Sequence, residues 1–166
     1  MPQRRQDSPH PAETPKYGAE VQYVQAADQS PVLDNKGKKF IQKVTGKFLY
    51  LGRAVDLTIL AALSSIAAQQ ASPTEKTQQH AQQLLDYLVT QEEAIITYRS
   101  SDMVLAVHSN ASYLSKSKVR SRVEGHFFMS SNVPIPSDSN GAVLTVTQII
   151  KTVMTSVVEA DLGTLY

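Results

Sequence analysis

Residues 103–113 read MVLAVHSNASY, and the fold turns on how that stretch is taken. Met103 to Val107 are apolar at every position, the pattern of a strand covered on both faces. The run stops at His108, Ser109 and Asn110. Polar side chains at the inner end of a core strand point to something bound or reacted there. His108 and Ser109 invite a base-and-nucleophile reading, but adjacent strand residues point to opposite faces and do not pair with each other. A strand end with satisfied hydrogen bonds is the plainer reading of those two.

Further along, Arg122–Ser130 (RVEGHFFMS) reads as a second strand and Gly141–Ile150 (GAVLTVTQII) as a third. The intervening SNVPIPSDSN is a loop by its Pro, Asn and Ser content. Connections this short predict antiparallel neighbours. Ser156-Val157-Val158-Glu159 has capping-box spacing, so a helix is expected to start there. A strand apolar on both faces belongs in the middle of a sheet, and a three-strand meander gives it one neighbour only. The expectation is a domain cut short before a further strand.

Toward the N-terminus the period changes. From Lys38 to about Val89 it is helical, with Phe40, Ile41, Val44, Phe48 and Leu51 on one face and Gly46 as a weak point. Leu57, Leu60, Ala61 and Ser64 continue in a second helix, with Asp56 as its N-cap. Ser72-Pro73-Thr74-Glu75 reads as a capping box with proline at the first helical position. Leu84, Leu85 and Leu88 are the stripe of the third helix, and all three stripes read as core. Residues 1–16, with four prolines among polar residues, carry too little apolar surface to offset ordering entropy. In 17–36, AEVQYVQ alternates weakly, as a short strand would. The expected organisation is a linker over 1–36, a helical region over 37–100 and a sheet domain over 101–166, hence a mixed α+β fold.

Composition narrows the function classes. The chain has 166 residues, 42% hydrophobic and 19% charged, which is globular, and its net charge of +1 gives no global attraction to nucleic acid or to anionic membrane. Cysteine is absent, which removes disulfides and thiolate metal sites. MPQRRQDSPHPAETPK has no apolar core for a secretory signal, and LTILAALSSIAA falls short of the ~20 residues of a membrane span. The expected setting is intracellular, cytoplasmic or nuclear, without a membrane partner. His10, His80, His108 and His126 show no metal-ligand spacing, and no glycine-rich phosphate loop appears. In KSKVRSR, the alternating Lys116, Lys118, Arg120 and Arg122 would line one face of an extended chain and could track a phosphate backbone. A charged edge strand protected against aggregation explains them equally well.

A polar residue on a first strand, two antiparallel strands, then a helix with Glu159 in its first turn resemble the opening half of the ribonuclease H fold. The chain is similar to a piece of a copia-type retrotransposon polyprotein, from the end of the reverse transcriptase into its ribonuclease H domain. The resemblance covers most of residues 37–166. FIQKVTGKFLYLGRAVDLTILAALSSIA is similar to the stretch after the polymerase palm, with Arg53-Ala54-Val55-Asp56-Leu57 standing for a Thr-Arg-Pro-Asp-Ile-like segment. PTEKTQQHAQQLLDYL and a tyrosine-containing strand, ITYRS, follow. HSNASYL resembles the Ser-Asp-Ala motif, SRVEGHFFMSS the second strand, and TSVVEADLGTLY a Ser-Ser-Ala-Glu-Ala-Glu-Tyr-like helix start.

That resemblance implies hydrolysis of RNA in RNA–DNA hybrids by two divalent ions, usually magnesium, held by clustered carboxylates. The first carboxylate position is Asn110 here, the second is Glu159, and Asp161 is the alternative if the helix register differs. Asn110 is a neutral amide where magnesium prefers charged oxygen. The later carboxylates would lie beyond Tyr166. The expectation is therefore a fragment or degenerate copy without activity, holding magnesium weakly through Glu159 if at all. The palm aspartates of the polymerase would precede the chain. Two other readings stay open: a non-catalytic nucleic-acid-binding module using Lys116, Lys118, Arg120 and Arg122, and a protein-interaction role in which the open sheet edge pairs with a second copy or a complementing chain.

Overall fold

A computed structural model describes residues 5–11, 28–116, 120–131, 140–150 and 156–162. The chain forms two compact units, a helical one through Ala94 and a sheet-based one from Ile95, so the fold is mixed α+β.

Helix α1 (Asn35–Ala54) starts where the Asp34 carboxylate accepts the Gly37 N–H at 2.8 Å. The expected stripe is its packed face: Ile41 and Val44 are buried, with Phe40, Phe48 and Leu51 half-buried beside them. Asp56 then caps a 3-10 turn, Leu57–Ile59, by accepting the Thr58 N–H at 3.1 Å. Helix α2 (Leu60–Ala68) buries Leu60, Ala62, Leu63 and Ile66, leaving Ala61 and Ser64 half-buried. Its face is rotated from the expected one because the tighter 3-10 turn changes the angular phase before the helix begins. Helix α3 (Glu75–Thr90) closes the core with Ala81 and Leu84.

The α3 start differs from the sequence expectation. Thr74, not Ser72, is the N-cap, and its reciprocal partner is Thr77: each hydroxyl accepts the other's backbone N–H, at 3.2 and 3.1 Å. The cause is the strap at 31–33. Leu33 N–H donates to the Pro73 carbonyl at 2.8 Å and Glu75 N–H to the Pro31 carbonyl at 3.0 Å, holding Thr74 extended until the helix starts at Glu75. Asp28 joins this strap, accepting the Ser30 hydroxyl at 2.6 Å, the Thr74 hydroxyl at 2.5 Å and the Ser30 N–H at 2.9 Å. Those bonds, in that order and with help from Lys76, hold its carboxyl down to about 2. Residues 5–11 also meet α3, with Gln6 N–H donating to Thr90 Oγ1 and Gln83 Nε2 to the Ser8 carbonyl. Parts of the expected linker are thus held by polar partners on α3. AEVQYVQ lies outside the described residues.

The sheet has the order β1 (Val104–Lys116), β2 (Arg120–Ser130), β3 (Ala142–Ile149), antiparallel throughout. The pairing runs from Val104↔Ser130 to Ser112↔Arg122, then resumes at Lys116↔Arg120 after an irregularity. The central strand is β2, with Phe128, Val123 and Ser121 buried. The reading of 103–109 as a strand covered on both faces is corrected. β1 has one neighbour among the described residues, as the three-strand meander predicts, but Val104, Leu105 and Val107 are exposed by 43%, 58% and 37%, so it is not covered on both faces. Apolarity marks what a strand can bury, whereas adjacency decides what it does bury. Helix α4 (Val157–Leu162) lies against β1 and β2.

ITYRS is not a strand; it is extended chain fastened to the start of β3 by Asn140. The Asn140 Oδ1 accepts the N–H groups of Arg99 (2.7 Å) and Gly141 (2.9 Å), and its Nδ2 donates to the carbonyls of Arg99 (2.9 Å) and Met129 (3.0 Å). Gly141 N–H reaches the Thr97 carbonyl at 2.8 Å and the Tyr98 hydroxyl donates to the Ala142 carbonyl at 3.0 Å. These bonds place the unit boundary at 94/95 instead of the expected 100/101.

Gly46 has nothing within 4 Å of where a Cβ would stand, so Gly46→Ala should raise the unfolding free energy by ~0.5–1 kcal/mol in urea denaturation. Gly52→Ala, whose methyl would stand 3.3 Å from Ile59, is expected to gain less or to destabilise. A carboxyl with a lowered pKa stabilises above its unfolded value and ceases to as it protonates. The melting temperature of Asp28→Asn should therefore lie below that of the parent at neutral pH, and the gap should close as pH falls from 3.8 toward 2. A gap constant over that window would discount the Asp28 bonds. Asn140→Ala should cost ~1–3 kcal/mol and speed hydrogen exchange at Arg99 and Gly141. Asn140→Asp should not restore it, because the donors to Arg99 and Met129 are gone.

Candidate functional site

The register of β1 on β2 assembles one polar face. Its first row is His108–His126–Thr145 across the three strands, and the next is Asn110–Glu124–Thr147. Ser112–Arg122–Ile149 follows. His108 and Ser109 fall on opposite faces, since Ser109 is opposite Gly125.

Asn110 is exposed on β1, directly opposite the half-buried Glu124. Glu159 is exposed in the first turn of α4, where its N–H donates to the Ser156 hydroxyl at 3.1 Å, so the expected helix start is present. Asp161 lies in α4, its side chain outside the described residues. Charged oxygen is what magnesium needs, and Asn110 supplies a neutral amide. Among the described residues no three His, Asp or Glu side chains gather as a metal-ligand group. The described residues do not fit a two-magnesium centre.

The basic stripe does not run along a single extended strand. Lys116 pairs with Arg120 across the ladder, so the cations belong to two strands. Lys118 and the side chains of Lys116 and Arg120 lie outside the described residues. Arg122 is corrected from a solvent-facing phosphate contact to a buried residue, only 6% exposed. Burial pushes its guanidinium down from the usual range, and the neighbouring Glu124 charge works against that shift. A cation enclosed this far cannot reach a phosphate backbone from outside.

Sequence reasoning missed Glu124, His126 and Asn140. The alternation Arg122-x-Glu124-x-His126-x-Phe128 in the second strand was the available signal for one shared face. Pairing that face with Asn110 and His108 required the register, which composition does not fix. No helix among the described residues is long and apolar enough to cross a membrane.

No family model, no curated protein and no solved structure matches this chain.

Proposed function

We propose that the sheet unit is the opening portion of a ribonuclease H-like domain from the copia-type retrotransposon lineage, and that the helical unit is the segment that follows the polymerase. In this reading the chain by itself does not hydrolyse RNA–DNA hybrids. The observation that carries it is the antiparallel order β1-β2-β3 followed by a helix lying against β1 and β2, with Glu159 in its first turn. Asn110 on the exposed polar face of β1 supports the loss of activity, because an amide there cannot supply the negative charge a magnesium centre requires. The buried Arg122 weighs against a simple phosphate-tracking stripe as the primary role.

The test combines the purified chain, magnesium and an end-labelled RNA–DNA hybrid. The expected result is no cleavage beyond that of Glu159→Ala. Metal-dependent cleavage that disappears in Glu159→Ala would overturn the inactive reading. For the ancestry, Asn110→Asp is combined with the C-terminal half of an active copia-type ribonuclease H domain supplied in trans. Cleavage is expected to appear with the Asn110→Asp chain and not with the parent. Failure of the two halves to associate would count against the shared fold.

A further inference from the structure

The row beside Asn110 and Glu124 carries chemistry that the proposed function leaves unused. His108 and His126 are direct partners across the β1–β2 ladder. Side chains so paired share a face, with Cβ atoms ~4.5–5.5 Å apart. Both imidazoles pack against the same ring: their centroids lie 4.9 and 5.4 Å from that of Phe128, which is fully buried. His108 itself is exposed.

A second, independent observation concerns the far side of His126. Its Nε2 stands 3.2 Å from the Asn140 carbonyl oxygen. A carbonyl only accepts, so Nε2 carries the hydrogen and Nδ1 keeps the lone pair in the neutral ring. A backbone carbonyl holding the remote N–H is the arrangement that orients a metal-binding imidazole. In the same row Thr145 has a buried hydroxyl with no hydrogen bond among the described residues. Glu124 and Asn110 lie one row along the same face.

We propose that His108 and His126 form a cross-strand two-imidazole site for a divalent transition cation of the zinc, nickel and copper class. Among the described residues no complete three-ligand set is gathered, so the protein supplies two nitrogens and water completes the shell. Imidazole favours this class over magnesium, whose preference is for oxygen. The site depends on the register and the His126 hydrogen bond alone, so it stands or falls independently of the ribonuclease H reading.

Zinc chloride is titrated into the full chain and followed by calorimetry and by NMR of the imidazole rings. One zinc per chain is expected, with the His108 and His126 ring signals moving together and millimolar magnesium failing to compete. His108→Ala and His126→Ala should each weaken binding by roughly tenfold or more, and the double variant should be little worse than either. His108→Gln keeps a polar side chain of similar reach on the exposed edge and should bind as weakly as His108→Ala, with amide shifts confirming an intact sheet. Unchanged affinity in His108→Ala, a response confined to His10 and His80, or no zinc binding at all would overturn the proposal.

Discussion

The register of β1 on β2, which sets His108 opposite His126, organises the sheet unit. Side chains alternate along a strand, so a slip of one residue between β1 and β2 would send every paired side chain to the opposite face. With the observed pairing, Asn110 faces Glu124, Ser112 faces Arg122, and Phe128 closes beneath both imidazoles. The polar face is therefore one construction. It is set by hydrogen bonds of the backbone and filled by whatever the two strands carry at matching parity.

The same constraint explains an electrostatic cost within the sheet. Arg122 sits in the central strand, where neighbours on both sides withdraw it from water. Burial of a cation is unfavourable unless charge or hydrogen bonds compensate, and Glu124 two residues away on the same face provides part of that. The charges that a reading of KSKVRSR makes equivalent are thus separated by the ladder. Arg122 belongs to the sheet interior, while Lys116 and Arg120 close the hairpin end.

Much of the architecture was legible in the residues. The spacing of Ile41, Val44, Phe48 and Leu51 specified the packed face of α1, and three strand-like segments with short connections specified antiparallel neighbours. What was not legible depended on distant pairings. The α3 start moved to Thr74 because Pro31 and Leu33 hold the residues before it, a contact between segments far apart along the chain. The apolar run of β1 predicts cover on both faces, yet burial in a sheet is a matter of neighbours, and β1 has one among the described residues. The candidate site divided the same way. Asn110 and Glu159 could be singled out locally, whereas His126, Glu124 and the Asn140 carbonyl become partners only once the strands are in register.

Asn140 gives the sheet unit a chemical clock. It is followed by glycine, the neighbour that least hinders a backbone nitrogen from attacking the side-chain amide and expelling ammonia. In the folded unit the Gly141 N–H is directed at the Asn140 Oδ1 and the Thr97 carbonyl, and the amide nitrogen is engaged by Arg99 and Met129. Folding thus engages the atoms of that reaction in hydrogen bonds. Each excursion to the unfolded state frees them, and a chain that has aged there returns with a carboxylate that cannot donate to those two carbonyls. The joint that orders the sheet also records how long the chain has spent without it.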